Sequence, residues 1–157
     1  MNKQQQDLGL RIACIAMIVT FLLNWLASNG LAQSGFDIVF GSHDRVDDIG
    51  FFGRLAVGLL PVCGGVILYF NIKKQGVYPI AKKLLFTIPA VLVVIFFLAL
   101  YAKVEGMKRR IHFLEISATG YLAIGFWLAL LAAGFVCYLG FAPVADSRLQ
   151  PDSQSGQ

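Results

Sequence analysis

Charge is what this chain has least of. Only 14% of its residues are Asp, Glu, Lys or Arg, against roughly 25% in soluble domains. Hydrophobic residues reach 57%, where about 45–50% is usual, and they are gathered into blocks. That balance argues against a water-bathed globule. Cysteine is also scarce: Cys14, Cys63 and Cys137 stand in no CxxC or zinc-like spacing, so paired-thiol chemistry has no basis and small buried thiols are expected. The two histidines, His43 and His112, fall outside the long apolar runs, which is not where haem ligands of helical proteins usually sit. No Walker loop, dinucleotide fingerprint or Ser/His/Asp arrangement is present. No Asp, Glu or His occupies the middle of an apolar run, so neither a proton relay nor a carboxylate ion site is visible.

What the chain does have is length of apolar sequence. Residues 84–102, LLFTIPAVLVVIFFLALYA, carry no charge and only Thr87 as a clearly polar side chain, and Lys82 and Lys83 precede them. At about 1.5 Å per residue such a helix nearly matches the roughly 30 Å hydrocarbon core of a bilayer. Three further runs join it, at 10–28, 50–71 and 116–141. The four together predict an all-α integral membrane four-helix bundle, a single domain over residues 1–157 with a flexible polar tail at 144–157. A signal peptide is the rival reading of the first run, since Gly30, Leu31 and Ala32 imitate a cleavage site, but Asn24 and Trp25 fit it poorly.

Small and polar residues recur along two of these runs. Ala16, Thr20, Asn24 and Ser28 follow one another every four residues in the first, a stripe expected to face protein and to serve helix packing. In the fourth run Tyr121, Gly125, Ala129, Ala133 and Cys137 repeat the same step, predicting a narrow groove for a close neighbour. The second run carries Arg54 about one turn inside its start. Snorkelling or pairing with Asp47 or Asp48 is the plain reading. The sharper one is an anion or lipid-headgroup site, because Gly50 and Gly58 share its face. Pro61, Gly64 and Gly65 predict a kink, and Pro89 is expected within the first turns of the third run.

The connections differ from one another. In 29–49 the Asn-Gly and Ser-Gly dipeptides mark turns, and Phe36, Ile38 and Phe40 alternate, as in a short interfacial hairpin. His43, Asp44, Asp47 and Asp48 follow, a set of possible metal donors whose spacing matches neither an EF-hand nor a zinc motif. A solvated surface is expected there, with no metal and no cofactor. The next connection has Lys73, Lys74, Lys82 and Lys83 around Gly76 and Pro79 and no acid, which is the cytoplasmic pattern. It places both termini in the cytoplasm, across a bacterial cytoplasmic membrane. The net charge of +4 lies beside the runs, so lipid headgroups rather than nucleic acid are its partner.

These features predict a non-enzymatic membrane protein that acts by association, as an accessory or structural subunit of a membrane complex or as a homo-oligomer. Its partners are then the lipid bilayer and either another membrane protein or a second copy. The alternative is a channel or small-solute transporter with Thr20, Asn24 and Arg54 along its path. The chain resembles small multidrug transporters only in having four helices, and the buried acid on which they rely has no counterpart here.

Overall fold

The computed structural model describes residues 3–28, 31–41, 49–73, 79–110 and 118–141. The chain begins with helix α1, Lys3–Thr20, and turns into two short antiparallel strands, β1 (Asn24–Ser28) and β2 (Leu31–Ser34). A six-residue helix, α2 (Gly35–Phe40), follows directly. Three long helices complete the order: α3 (Gly50–Lys73), α4 (Pro79–Arg110) and, after a 3-10 turn at Ala118–Tyr121, α5 (Ile124–Phe141). The described residues are thus mostly helical and the all-α class holds.

Among the described residues three helices are long and apolar enough to cross a membrane: α3, the Lys83–Met107 part of α4, and α5. At about 1.5 Å per residue their 24, 25 and 18 residues span about 36, 37 and 27 Å. Helix α1 is not among them. Its 18 residues include Lys3, Asp7 and Arg11, so only residues 12–20 are free of charge. The expected first helix over 10–28 is therefore corrected, because it ends at Thr20 and residues 24–28 form β1. The fourth run is shortened likewise, beginning as α5 at Ile124 and leaving Tyr121 in the 3-10 turn.

Each long helix packs on two others, in the cyclic order α1, α3, α4, α5. The neighbours run antiparallel: Gly9 near the start of α1 lies against Phe135 and Leu139 near the end of α5, Gly53 against Ala99, and Gly140 against Phe86. Inward-facing residues recur at helical spacing. On α5 they are Gly125, Phe126, Ala129, Ala132, Ala133, Val136 and Leu139, steps of three and four that keep one stripe toward the neighbours. Small residues there let backbones approach closely, and close packing is what holds helices together where lipid replaces water. The α1–α3 crossing shows the same device: a Cβ on Gly64 would stand 3.1 Å from the Cys14 carbonyl.

Proline is accommodated rather than disruptive. Helix α3 is continuous through Pro61, and α4 opens at Pro79, where a missing donor is harmless at the first helical position. Pro89 consequently lies well inside α4 and not in its first turns. The three cysteines are free thiols.

At one end the start of α1 meets the end of α3. Arg11 Nε donates to Asn71 Oδ1 at 2.9 Å, and Asn71 Nδ2 to Asp7 Oδ1 at 3.4 Å. Arg11, Lys73 and Lys83 are exposed at this basic end, where Lys83 Nζ lies 6.0 Å from the centre of the Phe141 ring. The Asn71 link clamps two helix ends but sits near water, so its net worth is small. Asn71→Ala is expected to lower stability by about 1 kcal/mol, read from the midpoint of unfolding in a mixed-detergent titration. Unchanged stability would show that the clamp is only geometric.

Candidate functional site

The opposite end is built around Trp25. Helix α1 stops there without leaving its carbonyls bare. The Phe21, Leu22 and Leu23 amides donate back to the carbonyls of Ile18, Val19 and Thr20 at 3.3, 3.0 and 3.1 Å, a tightened last turn. The Phe36 amide donates to the Phe21 carbonyl at 3.1 Å and the Gly35 amide to the Leu23 carbonyl at 3.3 Å. Trp25 Nε1 then donates to the Thr20 carbonyl at 2.7 Å. Such thorough pairing is what buried non-helical backbone requires.

The two strands are held from the other side as well. The Ala123 amide donates to the Trp25 carbonyl at 2.9 Å, and Leu26 forms an isolated antiparallel bridge with Leu122. The hairpin is thereby stitched to the segment that leads into α5. The indole is 1% exposed and meets Phe96 and Phe126 edge to face at 5.1 and 6.2 Å between ring centres, a geometry that aligns ring edge with ring face. Gly125 makes room for it: a Cβ there would fall 2.6 Å from the Asn24 carbonyl oxygen and 2.9 Å from Trp25 Cδ1. The hub is a buried aromatic cluster whose indole nitrogen is paired and whose three rings carry no ionisable group.

The other expected site residues are placed as follows. Ala16 is partly buried against the core, and Thr20 is buried with its hydroxyl donating to the Met17 carbonyl at 2.9 Å. Asn24 is exposed on β1. Ser28 ends that strand, so Asn24 and Ser28 do not continue a helical stripe with Ala16 and Thr20. The physical reason is that Trp25 gains more from Phe96, Phe126 and the Thr20 carbonyl than the segment gains by staying helical, a tertiary contact overriding a weak propensity. Gly125, Ala129 and Ala133 are all buried on the inner face of α5.

Arg54 is half-buried near the start of α3. Gly50, which opens that helix, has φ +75, a left-handed conformation that favours glycine. Beside Gly58, which shares the face of Arg54, stands Val39 of α2, 3.4 Å from a Cβ placed there. His43, Asp44, Asp47 and Asp48, together with His112, lie outside the described residues. Among the described residues no group of three or more His, Cys, Asp or Glu is placed to hold a metal ion.

Sequence reasoning missed the hub itself. One signal pointed to it: Asn29-Gly30 just beyond Trp25, a strong short-range hairpin cue. The chain was compared with known protein families, with curated proteins and with solved structures, and it matches none of them.

Proposed function

We propose that this chain is a non-enzymatic integral membrane protein, with α3, α4 and α5 crossing the bilayer and α1 packed beside them, and that it acts by association, either as a subunit of a membrane complex or as a homo-oligomer. Support for the membrane comes from an exterior that, like the core, is apolar. Leu59, Val62 and Val66 on α3, Val94 and Leu98 on α4, and Leu131 on α5 are exposed although large and apolar, far beyond the scattered surface hydrophobics of a soluble monomer. Aromatic side chains stand at both ends of this sleeve. Tyr69, Tyr138 and Phe141 are exposed toward the basic end, and Phe51, Tyr101 and Trp127 toward the hairpin end, where headgroups favour amphipathic rings. The exposed Arg11, Lys73 and Lys83 support an orientation with this end on the cytoplasmic side of a bacterial cytoplasmic membrane, against which Arg54, Lys103, Lys108, Arg109 and Arg110 toward the other end weigh nearly as much.

The observation that carries the association reading is a notch in that sleeve. On α5 Gly134 is exposed among Leu130, Leu131, Phe135 and Tyr138, and a Cβ added to it meets nothing within 4 Å. A gap between bulky side chains on a lipid-facing helix is where another helix packs most closely. The seam of Gly125, Ala129 and Ala133 cannot serve this purpose, being buried within the chain. The channel alternative draws no support, because Thr20 is satisfied within α1 and Trp25 with Phe96 fills the space beside it.

Purification in a mild detergent followed by native mass measurement tests the reading. More than one copy, or a co-purifying membrane protein, is expected, and Gly134→Leu is expected to weaken that association about fivefold. A solitary chain under all mild conditions removes it.

A further inference from the structure

Helix α2 has an unusual position. It packs on α3 through Val39 against Gly58, eight residues beyond the first residue of α3, about 12 Å along that helix. It therefore lies below the end of the molecule, beside the apolar sleeve, and not above it. Ile38 points inward and is buried, while Phe36 and Phe40, one turn apart on the outer face, are 51% and 68% exposed. Phe36 is in ring contact with Phe40 and with Phe21 at 4.9 and 6.2 Å between centres, and Leu22, next to Phe21 in the chain, is also exposed. On another side of α2 a capping box closes its start. The Asp37 amide donates to Ser34 Oγ at 3.1 Å, and the Ser34 amide and hydroxyl donate to Asp37 Oδ2 at 3.0 and 2.8 Å.

We propose that α2 is an interfacial anchor, lying along the membrane surface at the hairpin end with Phe36, Phe40 and Leu22 among the acyl chains and the Ser34–Asp37 cap at headgroup level. This rests on the membrane reading above and adds a lipid-binding surface outside the spanning helices. Lipid is the occupant for two reasons. The apolar face is continuous with the sleeve of α3, where Leu55 and Leu59 are exposed on either side of Gly58 in sequence. A six-residue helix, about 9 Å long, also presents far less than the roughly 800 Å² per partner that a stable protein interface buries. The two-sided chemistry, aromatic on one face and capped acid on another, is that of a segment which lies in an interface.

Tryptophan fluorescence in vesicles containing lipids brominated high on the acyl chain tests this. In the unaltered chain Trp127, on the outer face of α5, reports contact with lipid, and the buried Trp25 is the protected reference. In the Phe40→Trp, Trp127→Phe chain the new indole is expected to lose about half of its emission, as a side chain among the upper acyl segments does, while Trp25 keeps its blue emission and so certifies the fold. Phe36→Trp is expected to behave in the same way. An unquenched, red-shifted indole at both positions, with Trp127 quenched in the parent chain, overturns the anchor and leaves the membrane reading standing. Unquenched but blue emission assigns the surface to protein, a second copy or a partner, and overturns the proposal equally. If Trp127 itself escapes quenching, both readings fall.

Discussion

Trp25→Ala is expected to lower the stability of the chain by about 3–5 kcal/mol, the range for emptying a buried aromatic site. The indole is enclosed by Phe96 and Phe126, and its Nε1 holds the Thr20 carbonyl at 2.7 Å. Removing it opens a cavity at the meeting point of β1, α4 and α5, and the hairpin loses the weight that holds it down. Trp25→Phe separates the two contributions. It keeps a ring but drops the donor, and the Thr20 carbonyl still receives the Leu23 amide, so a loss of about 1 kcal/mol is expected. Unfolding midpoints in a denaturing-detergent titration give the order: parent, then Trp25→Phe, then Trp25→Ala. Equal stability of the parent and Trp25→Ala would show that the hub contributes nothing.

Gly125→Val is the second substitution with a large expected effect, of about 3 kcal/mol, the upper part of the range for overpacking. The added Cβ would meet a main-chain oxygen, that of Asn24, at 2.6 Å as well as the edge of the indole. A flexible side chain can step aside, but the Asn24 carbonyl belongs to a strand fixed on both flanks. The hairpin must lift, and the emission of Trp25 is expected to shift to the red as it does. Gly106→Ala supplies the comparison: it lies in α4 with nothing within 4 Å of the new atom, so the better helix former should raise stability by up to about 1 kcal/mol. If the two glycines respond alike, the close approach at Gly125 has no energetic meaning.

The all-α class and the long apolar helices α3 and α4 were legible because hydrophobic length is a coarse property. Residues 50–71 and 84–102 lie inside α3 and α4, with the observed helices running longer at their ends where charged residues still form helix. Segment 21–28 was not legible in the same way. Phe21, Leu22, Leu23, Trp25 and Leu26 continue the apolar run, and composition alone does not separate a helix from a buried strand of that length. What decides is Trp25 finding Phe96 and Phe126, contacts far apart in sequence. The loop alternation of Phe36, Ile38 and Phe40 misled for a related reason. Over five positions a strand and one turn of helix both set the first and last residue on the same side, and the Ser34 and Asp37 cap settles the matter for helix. The placement of Gly125, Ala129 and Ala133 on one face followed from their four-residue step, whereas the neighbour they would meet did not.

The junction of α1 and β1 is held by parts of the chain far from it in sequence. Both rings that clasp Trp25, and the glycine beneath it, belong to α4 and α5. A fragment ending before Ala123 lacks both Phe126 and the amide that donates to the Trp25 carbonyl, so its Trp25 is expected to emit further to the red than in the full chain.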